Sequence, residues 1–234
     1  MRSRPRSRWV AAFALQVLAI AGLAAACGSS SDGAASKDPA AILAASTAAA
    51  RSARAVHIRS KVAQGRLTAT LDLQLTETGG RARVGLAGVS NELLRIGDAV
   101  YLRSNPSLRK RFARRGVHLA EGGWVRASAG SAGQLGQLLD MRRELDTLLE
   151  STKQLSKVAT RTVNGHKTVV LKESGRALST PTIYISATGT PYPVKIVKQG
   201  REHGEVTFTA WNRPVTLAAP VGALPLGALQ RAGR

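Results

Sequence analysis

A single cysteine, Cys27, stands in 234 residues, and aromatic side chains make up 4% of them. One cysteine has no partner in its own chain, so an internal disulfide framework is excluded. With so few aromatic rings, any core has to be built from small aliphatic side chains. Acids are scarce too: 14 against 34 lysines and arginines, a formal net charge of +20. That balance favours anionic surfaces such as phospholipid headgroups, wall polymers or nucleic acid. The alternative is arginine used freely as a solvated surface residue. The four histidines, His57, His118, His166 and His203, are scattered and show neither H-x-x-x-H nor H-E-x-x-H spacing. His166 beside a turn and His203 in a loop read as solvated. No G-x-S-x-G elbow and no phosphate-cradling glycine loop occurs. Asp38 reads as a helix cap and Asp98 as a turn residue. The chain is expected to be no enzyme, with no catalytic residue, no metal and no cofactor.

One long uncharged run is present, and its position is informative. Arg2, Arg4, Arg6 and Arg8 precede a stretch from Trp9 to Ala26 that carries no charge. A basic start followed by an apolar segment is the pattern of a secretory signal. A transmembrane anchor is the rival, because a span needs ~20 apolar residues. Leu23-Ala24-Ala25-Ala26-Cys27 resembles a bacterial lipobox, in which small residues let a signal peptidase bind the extended chain. Plain secretion would cut at the same bond, and only Cys27 distinguishes lipidation from it. Without an adjacent arginine pair, the general export route is expected rather than the twin-arginine one. Residues 1–26 are thus expected to be a lipoprotein signal peptide. Cys27 is the lipidation site, where a diacylglyceryl group gives stable anchoring on the extracytoplasmic face of the cell membrane. Residues 27–37, rich in glycine, serine and alanine, read as a flexible tether. Loss of the signal lowers the net charge to +16, and export disfavours nucleic acid as a partner.

Residues 38–234 are long enough for one well-buried domain. Asp38-Pro39 opens an alanine-rich helix to about Ala53, with Asp as cap and Pro at a position that needs no donor. The period then changes. Leu67, Ala69, Leu71, Leu73 and Leu75 alternate with Arg66, Thr68, Thr70, Asp72 and Gln74, which predicts a strand with one buried face. Turn signals recur at Gln64-Gly65, Thr78-Gly79-Gly80, Gly97-Asp98, Asn164-Gly165 and Thr188 to Pro191. Asn164-Gly165 suits a turn with positive φ at both central residues. Two helices interrupt the meander: a short one between Asn105-Pro106 and Gly116, and a second over about Gln134 to Glu150. The second has Leu135, Leu138, Leu139, Leu145, Leu148 and Leu149 on one stripe and Asp140, Arg142, Arg143, Glu144 and Asp146 opposite. The fold class is therefore α+β: one large curved antiparallel sheet, a half-barrel of about eleven strands, wrapped around about three helices. The meander shows no internal repeat.

These elements carry a resemblance. Gly65 to Leu75, Ile96-Gly97-Asp98-Ala99-Val100-Tyr101 and Gly123-Trp124-Val125 resemble actinobacterial envelope lipoproteins of the LppX/LprA/LprF/LprG type, related in fold to LolA and LolB. So do Thr162-Val163-Asn164-Gly165, Gly189-Thr190-Pro191-Tyr192-Pro193 and Val206 to Asn212. The resemblance implies a LolA-like half-barrel with an apolar cavity for acyl chains, and hence binding or transfer of a lipid or acylated glycolipid. Cavity-lining positions would be Val56, Ile58, Val62, Leu67, Leu71, Leu73, Ile183, Ile185, Val206 and Phe208, each of which could equally be ordinary core. The alternative function is an envelope sensor, regulatory or structural lipoprotein that binds a protein instead of lipid. Between Asp98 and Glu121 no acid occurs, while Arg103, Arg109, Lys110, Arg111, Arg114 and Arg115 do. The last five could dock on anionic headgroups at ~1 kcal/mol each, or form a solvated charged helix. Expected partners are the membrane, a lipid or glycolipid and anionic headgroups; the chain is expected to be a monomer.

Overall fold

A computed structural model describes residues 37–150, 155–173 and 179–232; Cys27, the signal segment and nearly all of the tether lie outside these. The chain enters through α1 (Pro39–Arg51), and the Asp38 carboxylate accepts from the amides of Ala40 and Ala41. A meander follows: β1 (Ala55–Gln64), β2 (Leu67–Thr76), β3 (Gly79–Leu86), β4 (Val89–Ile96) and β5 (Ala99–Arg103). Next come α2 (Pro106–Ala113), β6 (Trp124–Ser128), α3 (Ala129–Ala132), α4 (Gln134–Leu138) and α5 (Met141–Leu149). A second meander, β7 (Leu155–Val163), β8 (His166–Glu173), β9 (Ser179–Ser186), β10 (Pro193–Gly200) and β11 (Glu202–Thr209), precedes β12 (Leu224–Pro225) and α6 (Leu226–Ala232).

All the strands join one open sheet, β12-β6-β5-β4-β3-β2-β1-β11-β10-β9-β8-β7. The two meanders meet where β1 pairs with β11, so the sheet is continuous although its halves are distant in sequence. This is the expected α+β curved sheet, with twelve strands among the described residues where about eleven were expected. One correction is needed: the sheet is mixed, because β12 runs parallel to β6. His203 lies in β11 rather than in a loop. Asn164 (φ 50°) and Gly165 (φ 78°) make the expected turn, while Ala87 and Gly88 make another with the same signs that no Asn or Gly pair announces.

Among the described residues there are six helices where about three were expected. The segment read as one helix over 134–150 is broken at Leu139 and Asp140. Leu139 is fully buried in a non-helical conformation, and Asp140 caps a new start by accepting from the Arg143 amide. Burying Leu139 and starting a correctly aimed α5 outweighs continuing one straight helix, since most helical stability comes from packing. Among the described residues no helix is long and apolar enough to cross a membrane. The main core lies between the sheet's inner face and α1, Leu139 and α5, through Ile42, Leu43, Met141, Leu145 and Leu149.

An aromatic clasp closes the seam near the start of β1. Tyr192 stacks on Trp211 at 4.5 Å, and Trp211 stacks on Phe208 at 6.0 Å. The Trp211 indole donates to the Pro193 carbonyl, and Asn212 donates to Tyr192 while accepting from the Arg54 amide. From this clasp residues 210–223 cross the outer face to reach β6. Thr216, Leu217 and Ala218 share a groove there with Arg59, Asp72, Arg81, Arg83 and Glu92.

Candidate ligand-binding face

Strand register arranges the inner face of β1 to β4 in rows. Ile58, Leu73, Ala82 and Leu93 form one row, Ser60, Leu71, Val84 and Asn91 the next, and Val62, Ala69, Leu86 and Val89 the outermost. Burial falls off along this series. The first row is buried beneath the helices. The second is part-buried, and in the third Leu86 and Val89 are 51% and 41% exposed. The apolar inner face thus continues past its helical cover to the hairpin ends, where Leu67 is 57% exposed. Exposed apolar surface that runs on from a core, rather than in isolated residues, marks an interaction site.

The expected lining residues separate accordingly. Val56, Ile58, Leu73, Ile183, Ile185, Val206 and Phe208 pack in the buried cluster, and Leu71 packs against its margin. These seven fill the interior with one another and with α1 and α5, so they are core in this structure. Leu67 lies outside that cluster at the β1–β2 turn, and Val62 is only part-buried.

Where the inner face passes from β4 to β6, a cleft of about 310 Å³ opens under α2. Its floor is Leu93, Val100, Leu102 and Val125, its walls are Leu108, Phe112, Leu135 and Leu226, and Arg111 and Arg115 stand at its rim. Sequence reasoning passed over most of this lining. Leu135 was placed on a buried stripe yet is 40% exposed in the cleft, and α6, which brings Leu226, was not foreseen. The only signal for α6 is the Leu226–Leu229 spacing. Asn105 fixes α2 here by accepting from the Leu108 amide (2.7 Å) and donating to Asn91 (2.6 Å) on the inner face.

The five basic residues expected to dock on anionic headgroups differ in their surroundings. Arg109 lies 3.7 Å from Glu121, the acid that ends the acid-free stretch. Arg103 pairs with Glu92 at 2.6 Å and lies over the Trp124 ring. Lys110, Arg111, Arg114 and Arg115 are all exposed, and Arg111 and Arg115 also line the cleft. Hydrogen bonding from Arg103 holds the Glu92 carboxyl below its ordinary range, against its partial burial and with help from Arg83. Among the described residues no three His, Cys, Asp or Glu side chains converge as a metal site.

No family model and no curated protein matches the sequence. Solved structures do match. LprF from Mycobacterium bovis aligns with TM-score 0.56 at 17% identity, over 78% of this chain and 96% of that one. The Mycobacterium tuberculosis lipoprotein LppX aligns with TM-score 0.51 at 15% identity, over 77% and 100%. The fold suggested by the turn and strand signatures is therefore the fold this chain has in common with those two.

Proposed function

We propose that this chain is a lipid-anchored extracytoplasmic protein, not an enzyme, that binds or transfers a lipid or acylated glycolipid on the inner face of its sheet. The observation that carries the reading is the apolar row Val62-Ala69-Leu86-Val89, continuous with the core and left without helical cover. Acyl chains lying on such a face avoid a cost of ~0.8 kcal/mol per methylene that exposure to water would impose. Transfer from a bilayer to this face is apolar to apolar, so exchange needs no tight binding. The Cys27 tether would hold the face near a bilayer, and the fold held in common with LprF and the lipoprotein LppX supports the setting.

A second reading is favoured by one observation: seven of the expected lining positions are packed in the core, while Leu67, Leu86 and Val89 stay exposed at the end of the inner face. The same rows would then seat a protein partner, as in an envelope sensor or regulatory lipoprotein. Mass spectrometry of organic extracts from natively purified protein separates the two. Lipid in constant ratio to protein is expected, reduced by Leu71→Trp, which occupies the second row. Extracts free of lipid, with a partner captured through the same rows, would reverse the assignment.

A further inference from the structure

We propose that the cleft beneath α2 takes a single-chain amphiphile with an anionic head, its chain against Leu108, Phe112 and Leu135 and its head between Arg111 and Arg115. The proposal rests on the lipid-binding reading and names the ligand class of that face.

Positions 108, 111, 112 and 115 recur at helical spacing, so two arginines share one side of α2 and its C-terminal turn with two apolar residues. An amphipathic helix ordinarily sets its charges opposite its apolar stripe. Here Arg111 and Arg115 stand over the apolar cleft instead. Arg103 and Arg109 lie within 4 Å of Glu92 and Glu121, whereas Lys110, Arg111, Arg114 and Arg115 have no carboxylate at that distance among the described residues. Of these four, only Arg111 and Arg115 line the cleft. Like charges one turn apart repel. A carboxylate or phosphate between them relieves that repulsion, and the planar guanidinium fork matches either anion in bidentate fashion. The apolar walls call for a chain and the rim calls for an anion, so neither a neutral lipid nor a free anion satisfies both. The size sets the number of chains: about 310 Å³ is at the low end of the ~300–1,000 Å³ usual for small-ligand sites. That suits one chain rather than a multiply acylated glycolipid.

The test uses the full chain carrying Cys27→Ala, so that it brings no acyl group of its own. It is titrated below micelle-forming concentrations with dodecyl phosphate, dodecanoate and neutral monododecanoyl glycerol, and separately with inorganic phosphate. Both anionic amphiphiles should bind at least tenfold more tightly than the neutral one, and inorganic phosphate alone should not compete. Arg111→Glu with Arg115→Glu should abolish that preference. Lys110→Glu with Arg114→Glu, the same charge change on the solvent side, should leave it within twofold. Leu135→Trp, at a half-exposed position where overpacking is not at issue, should weaken all three chain-bearing ligands. Equal loss in both double variants would reduce the effect to net charge and overturn the proposal. Equal affinity for charged and neutral heads, or competition by inorganic phosphate, would overturn it as well. Lipid still recovered from the native chain in any of these cases leaves the broader reading standing; that reading falls only if no lipid is recovered.

Discussion

Glu144 illustrates how packing moves a residue away from its sequence pattern. By helical spacing it belongs with the charged side of its helix, yet the fold half-buries it, and desolvation raises its carboxyl above the ordinary glutamate range. The folded state therefore binds that proton more readily than the unfolded chain. Stability falls as pH rises from the ordinary glutamate value through the raised one, and the full cost is present above the raised one. Glu144→Gln should stabilise the protein at pH 7, and the gain should vanish below pH ~4. Denaturant unfolding at the two pH values checks this, and a gain equal at both would exclude the desolvation account. Glu92 has the opposite sign: its depressed carboxyl stabilises above the unfolded value, and that contribution is lost as pH falls through the folded one. Gly204 is a constraint of a different kind. Its φ of 155° and the Lys61 carbonyl leave no room for a Cβ at the β1–β11 seam. Gly204→Ala should cost more than ~1 kcal/mol, read as a lowered unfolding midpoint.

Within single elements, the alternation in β2 was legible because a strand repeats every two residues whatever lies above it. The turn at Asn164-Gly165 was legible because that pair tolerates positive φ. The break at Leu139 was not, since six leucines at helical spacing describe a stripe but not the angle at which each piece meets the sheet. Capping carries that information: Asp140→Ala should cost ~0.5–2 kcal/mol by thermal or denaturant melting and leave α4 unaffected. The rows on β1 to β4 give a sharper comparison. Leu71 and Leu73 are two residues apart on the same face, but Leu73 is fully enclosed and Leu71 lies at the margin of the cover. Leu73→Trp should overpack the core at ~1–3 kcal/mol, while Leu71→Trp should change stability by far less. Equal destabilisation in equilibrium unfolding would mean that the second row is as closed as the first.

For the molecule as a whole, apolar strand faces could be read from the sequence, but not which part of each face the helices would cover. Seven of the expected lining residues are packed in the core for that reason, while the apolar surface left open lies at Leu67, Leu86 and Val89 and in the cleft under α2. Cys27 lies outside the described residues, and its role is tested in cells. Cys27→Ala should release a folded protein to the culture medium, followed by fractionation and immunoblotting; retention of an uncleaved chain in the membrane would identify the apolar segment as a span. The two edges of the sheet, finally, are unequal. At one, the chain's own β12 lies beside β6 and ends in Pro225, which has no amide to offer. At the other, no described strand pairs with the outer side of β7. Growth by strand addition into a fibre needs two receptive edges on every copy. With one receptive edge among the described strands, any such association is isologous and stops at two copies, so copies held close together do not polymerise through these strands.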